Sequence, residues 1–193
     1  MGHHIGTLVP QARHDELLRD AVKSQGGFIV KNAGDGFHAV FATAHDAVTA
    51  AVAAQRALLA DDWNITETVR VRMGIHTGEA EVRDGDYSGG TMNRAERLMS
   101  VAHGGQIVVS TATEELLHDT QPEKYRFIDL GEHRLRDRGR PEHLFQVAHP
   151  DLGREFAPLR TLDAFPGNLP LQSSSFVGRD IELVRVADAL QSS

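Results

Sequence analysis

The chain has no cysteine. Disulfides, thiolate metal sites and cysteine nucleophiles are thereby excluded, and a reducing compartment is allowed. No stretch reaches the roughly 20 apolar residues that a transmembrane helix needs. The first ten residues lack the basic start and long apolar core of a signal peptide. Histidines 3 and 4 fit either a tag remnant or a natural start, and the other histidines show no metal-ligand spacing. No Gly-x-x-x-x-Gly-Lys-Ser/Thr occurs, which leaves a plain phosphate-loop ATPase without support. There is no internal repeat. Positive charge is in the minority: 20 Lys and Arg stand against 27 Asp and Glu, for a net charge of -7. That balance argues against a broad nucleic-acid surface. The expectation is a cytoplasmic chain with no membrane span and no direct nucleic-acid binding.

What is present fits a globular protein. The 193 residues are 40% hydrophobic and 24% charged, enough for one domain with a sizeable core and a tail. Leu17, Leu18, Ala21 and Val22 predict a helix over 12–24, ended by Gly26-Gly27. Residues 28–31 and 37–41 read as two strands. Thr43 and Asp46 form an approximate capping box for a helix to about Ala60, with Val48, Ala51, Val52, Leu58 and Leu59 on its apolar face. Residues 69–76 alternate strictly, with Val69, Val71, Met73 and Ile75 on one face of a half-buried strand. Thr77 to Val82 continue the sheet, and residues 84–90 read as a loop. A helix is expected over 92–101, ended by Gly104-Gly105. A short strand follows at 106–109. Thr111 and Glu114 form a second capping box before Leu116-Leu117. Residues 127–130 and 143–147 read as terminal strands. Four prolines mark 149–173 as a linker, and a helical pattern resumes at Ile181.

Two constellations carry chemistry. The first is Val30-Lys31-Asn32-Ala33-Gly34-Asp35-Gly36-Phe37, which sets a cation and a carboxylate four residues apart around a glycine-flanked turn. Glycines keep bulk away from whatever approaches Asp35. Asp-Gly also marks ordinary hairpins, so Asp35 reads equally as a turn residue, and Lys31 as a solvated cation at a strand end. The second is Asp86, Asn93 and Arg97. Asn93 and Arg97 share a helical face, and the arginine fork suits phosphate oxygens. Asp86 alone reads also as a loop acid, Asn93 as a helix cap, and Arg97 as half of a surface ion pair. His76 and His103 read as structural.

Lys31-Asn32-Ala33-Gly34-Asp35-Gly36, Met73-Gly74-Ile75-His76-Thr77-Gly78-Glu79, Asp86-Tyr87 and Asn93-Arg94-Ala95-Glu96-Arg97 together resemble the class III nucleotidyl cyclase domain. Gly104-Gly105-Gln106-Ile107 and Leu130-Gly131-Glu132-His133-Arg134-Leu135 fit its bacterial branch, which is fused to ATPase and regulator modules of the LuxR type. The resemblance covers residues 12–148. Glu96 departs from it, because the family usually has a small residue there. Beyond the 149–173 linker, residues 174–193 resemble the entry to the fused ATPase module.

The resemblance implies an α+β, ferredoxin-like fold, a mixed sheet flanked by helices. It implies conversion of ATP to cyclic AMP and pyrophosphate at a dimer interface, in intracellular signal transduction. Asp35 matches a carboxylate that binds magnesium or manganese. Lys31 and Asp86 match the pair that reads adenine. Asn93 matches the residue that positions the ribose, and Arg97 the arginine that stabilises the transition state. The family's opening strand carries a first metal aspartate and lies centrally in the sheet, and no such run occurs here. The expectation is therefore an N-terminally truncated domain with an incomplete metal site. It would work as a homodimer, or as a heterodimer with an intact cyclase domain. The alternative is a catalytically inactive nucleotide-binding or dimerisation module that regulates a fused or partner ATPase and transcription regulator.

Overall fold

A computed structural model describes residues 8–33, 36–63, 69–79, 81–83, 86–118, 125–135 and 140–161, with backbone alone at 8–10, 31–33, 81–83 and 86–88. Helix α1 spans Leu8–Ser24, four residues longer at its start than its apolar stripe predicts. Gly26 (φ 67) closes it, and the Gly27 amide returns to the Val22 carbonyl at 3.0 Å. A left-handed residue after a helix favours glycine because no Cβ collides with the turn. Strands β1 (Phe28–Ala33) and β2 (Gly36–Val40) form an antiparallel hairpin. Its register pairs Ala33 with Gly36, so the connection is Gly34-Asp35, outside the described residues.

Helix α2 (Ala44–Ala60) starts where its cap predicts. The Thr43 hydroxyl accepts from the Asp46 amide at 3.1 Å and donates to the Asp46 carboxylate at 2.7 Å. Val48, Ala51, Val52 and Leu58 are buried as expected, whereas Leu59 is exposed. Strand β3 is shorter than its alternating pattern, only Met73–Ile75. The alternation still sorts the side chains: Val69, Val71 and Met73 pack under α1 and α2, and Met73 and Ile75 join the core of α2 and β6.

The expected 84–90 loop contains a strand. Strand β4 (Glu81–Arg83) pairs with β5 (Asp86–Ser88) in a second hairpin. Helix α3 (Gly90–Val101) begins at Gly89, whose φ of 115 an L side chain rarely adopts. Strand β6 (Ile107–Ser110) is buried throughout. Helix α4 (Thr111–Leu117) is not held by the expected capping box. Ser110 is its N-cap without a side-chain bond, the Thr111 hydroxyl donates to the His143 carbonyl, and Glu114 meets His118. Strands β7 (Arg126–His133) and β8 (Glu142–Ala148) finish the sheet.

The main sheet runs β3-β6-β8-β7, with β3 parallel to β6 and the other pairs antiparallel. Helices cover both faces. Ile107, Val109 and Val147 pack with Val48 and Val52 of α2, while Val108 and Leu144 pack with Leu98 and Val101 of α3. This is the expected α+β arrangement of a mixed sheet flanked by helices.

Residues 149–161 form no helix or strand, yet Leu152 and Leu159 are buried in the two cores. Buried polar groups fasten the segment. Gln106 donates to Gln146 at 2.8 Å, Gln146 donates to the Arg154 carbonyl at 3.0 Å, and the Arg160 amide donates to the Val101 carbonyl at 3.1 Å. Tyr125 is packed edge-on to Phe127, with a buried hydroxyl that has no hydrogen-bond partner among the described residues. Burial pushes its phenol pKa up. Tyr125→Phe should therefore leave the urea midpoint unchanged or raise stability by up to about 1 kcal/mol, because it removes an unsatisfied group without opening a cavity.

Candidate nucleotide site

The second constellation is built on α3. Asn93 is exposed and Arg97 half-buried, one turn further on, about 6 Å along the helix axis. Asn93 is not the helix cap. It is the fourth residue of α3, and its amide donates to the Gly89 carbonyl at 3.4 Å. Its side chain is thus not spent on capping.

Several contacts fix α3. The Thr91 hydroxyl donates to the Glu79 carbonyl, tying the first turn to the loop after β3. Arg94 Nε donates to the Glu142 carboxylate at 3.0 Å, tying the helix to β8. Glu96 reaches His38 of β2 at 3.1 Å. Glu96 is the residue that departs from the family pattern, and sequence reasoning gave no signal for this bond. Leu98 and Val101 turn inward.

The other predicted residues fall on the two hairpins. Asp86 opens β5, which contacts α3. Lys31 lies on β1 opposite His38, after a register irregularity between Ile29 and Lys31. For both, the backbone alone is described. Asp35 lies outside the described residues. The structure therefore joins Asn93, Arg97 and β5 in one neighbourhood and puts Lys31 on a separate ladder. Among the described residues no group of three or more His, Asp or Glu is placed to hold a metal ion.

His76 is structural, as expected. Its Nδ1 meets the buried Ser110 hydroxyl at 2.7 Å, and Ser110 lies 3.3 Å from the Thr113 hydroxyl. Burial lowers the His76 pKa, the positive charge of Arg94 adds to this, and Glu142 opposes it. An unfolded histidine takes up a proton near pH 6.5, and the folded one only at lower pH. The unfolded chain then binds more protons, so this contribution to stability is intact above about pH 6.5 and is lost as pH falls through that value toward the folded pKa. The urea midpoint should fall between about pH 7.5 and pH 5.5, with a shallower slope in His76→Asn.

The family model described as the adenylate and guanylate cyclase catalytic domain matches residues 12–148. The chain belongs to that family. An uncharacterized protein of Mycobacterium tuberculosis is 41% identical over 189 residues, covering 93% of this chain and 64% of the relative. The chain thus spans less than two thirds of that relative's length. An adenylate cyclase of Neurospora crassa is 34% identical over 149 residues, 64% of this chain and 6% of that protein. Among solved structures, an adenylate cyclase of Trypanosoma brucei in its monomeric state superposes with a TM-score of 0.73 at 27% identity, covering 82% of this chain and 87% of the other. An adenylate/guanylate cyclase/hydrolase from Silicibacter pomeroyi gives 0.65 at 29% identity, covering 78% and 92%.

Proposed function

We propose that this cyclase domain converts ATP to cyclic AMP and pyrophosphate at an interface between two protomers. The observation that carries the reading is the pairing of Asn93 and Arg97 on one face of an anchored helix, beside the strand that Asp86 opens. Attack by a ribose hydroxyl on phosphorus needs positioning and charge neutralisation more than covalent help. Asn93, free of capping duty, orients the ribose. The Arg97 guanidinium donates charge-assisted hydrogen bonds to the phosphate oxygens as charge builds on them. Asp86 accepts from the exocyclic amine of adenine, and Lys31 donates to a ring nitrogen. Guanine presents the reverse pattern, so ATP is the favoured substrate.

Magnesium or manganese, when bound through Asp35 and the substrate's phosphates, would neutralise charge on the triphosphate; such ions take one or two carboxylates along with phosphate oxygens. Asp35 is the carboxylate that the resemblance offers for this role. The partner is a second copy or an intact cyclase domain, and the setting is the cytoplasm, where ATP is supplied.

The test is a cyclase assay of the purified chain with ATP and manganese, alone and mixed with an intact homologous domain. Cyclic AMP in either arm, above what the intact domain makes by itself, supports the reading. Its absence from both sinks it. ATP binding without turnover would instead favour a nucleotide-binding module.

A further inference from the structure

One side-chain bond joins the hairpin that carries Lys31 to the helix that carries Asn93 and Arg97. His38 Nε2 lies 3.1 Å from Glu96 Oε1. An ionised carboxylate can only accept, so Nε2 is the donor. On the hairpin, His38 is the register partner of Lys31 across β1 and β2. On α3, Glu96 immediately precedes Arg97. Residues three and four apart are neighbours on a helix surface, so Asn93, Glu96 and Arg97 share a face. The bond therefore runs from the rung that holds Lys31 to the face that holds the other two.

We propose that His38 and Glu96 are positioning residues of the nucleotide site, whose bond fixes the spacing between the Lys31 rung and the Asn93–Arg97 face. This role rests on the cyclase reading, in which Lys31 meets adenine and Arg97 meets phosphate. A ligand that touches two groups gains fully from the second only when their separation is preset. With the bond cut, a nucleotide must itself order the hairpin against α3. A ligand that engages the phosphate end alone is indifferent to the cut. The side chains of His38 and Glu96 are 14% and 48% exposed, and partly exposed pairs have small effects, so the loss expected is a few-fold.

Glu96 has a second influence, which the test must separate. Its negative charge beside Arg97 opposes the binding of any anion there. Glu96→Gln removes that charge and keeps an oxygen for the His38 N–H, whereas Glu96→Ala removes both. His38→Gln likewise keeps an N–H donor, and His38→Leu does not.

The test is displacement of a fluorescent ATP analogue from the full chain in the presence of manganese. Two competitors are used: an ATP analogue with a methylene bridge between its α and β phosphates, which cannot be cyclised, and inorganic triphosphate. Affinity for the nucleotide should be about three- to fivefold lower in Glu96→Ala than in Glu96→Gln, and in His38→Leu than in His38→Gln. Affinity for triphosphate should be equal within each pair. Equal nucleotide affinity within the pairs would overturn the positioning role and leave the cyclase reading standing. So would a parallel loss of both competitors, which marks general loosening of α3. Absence of nucleotide binding from every chain, the wild type included, would overturn both.

Discussion

Cyclic AMP formation should fall by about 10²–10³-fold when Arg97 is replaced by alanine, the loss typical of removing one preorganised donor from a developing oxyanion. The guanidinium is half-buried on a helix anchored through Thr91, Arg94 and Glu96, so its loss should leave the fold intact. The effect should fall on kcat, with little change in KM, because the interaction strengthens only as charge builds at phosphorus. Arg97→Lys should recover part of the rate at most, since a point charge cannot reproduce a planar fork. The comparison needs steady-state kinetics with manganese and ATP, in whichever arm of the assay gives product. A variant that keeps the wild-type rate would remove Arg97 from the chemistry.

The larger structural effect is expected at Gly74. A Cβ there would fall 2.5 Å from the Ala95 carbonyl oxygen and 3.0 Å from the Leu98 carbonyl carbon, and also against the Met99 amide nitrogen. All three are backbone atoms of α3, and they cannot yield without moving the helix off β3. Overpacking usually costs about 1–3 kcal/mol and sometimes more. With a helix backbone as the obstacle, Gly74→Ala should lose about 3 kcal/mol or more, a large share of the 5–15 kcal/mol that holds a domain folded. Urea denaturation reads this directly. Gly27 is a useful contrast, because the three atoms nearest a Cβ there all belong to the Phe41 ring. A ring can turn, so Gly27→Ala should cost distinctly less.

Most elements were legible where local chemistry and period agreed. The Thr43–Asp46 box and the alanine-rich stripe located α2 to within a residue. The Gly34-Asp35 connection located the first hairpin. Asp84-Gly85 carries the same two-residue signal, since Arg83 pairs with Asp86 across it, yet the polar, glycine-rich composition of 84–90 concealed the second hairpin. The register makes that signal visible in retrospect. The capping box at Thr111 failed for another reason. Its hydroxyl found a tertiary partner in the His143 carbonyl, 32 residues away, and no local pattern encodes that choice. In the site, the spacing of Asn93 and Arg97 needed only helical geometry to be seen. The Glu96–His38 bond needed the fold, because it joins residues 58 positions apart on different elements.

The tie between Arg160 and Val101 has a mechanical meaning. Arg160 lies at the end of the helix that carries Asn93 and Arg97, and Leu159 is wedged beside that helix. Tension or rotation applied at Thr161 would reach α3 through the Arg160–Val101 bond and β7 through the Thr161 hydroxyl, 3.3 Å from His133 Nδ1. The segment at 159–161 is thus a mechanical link between β7 and the helix that bears Asn93 and Arg97.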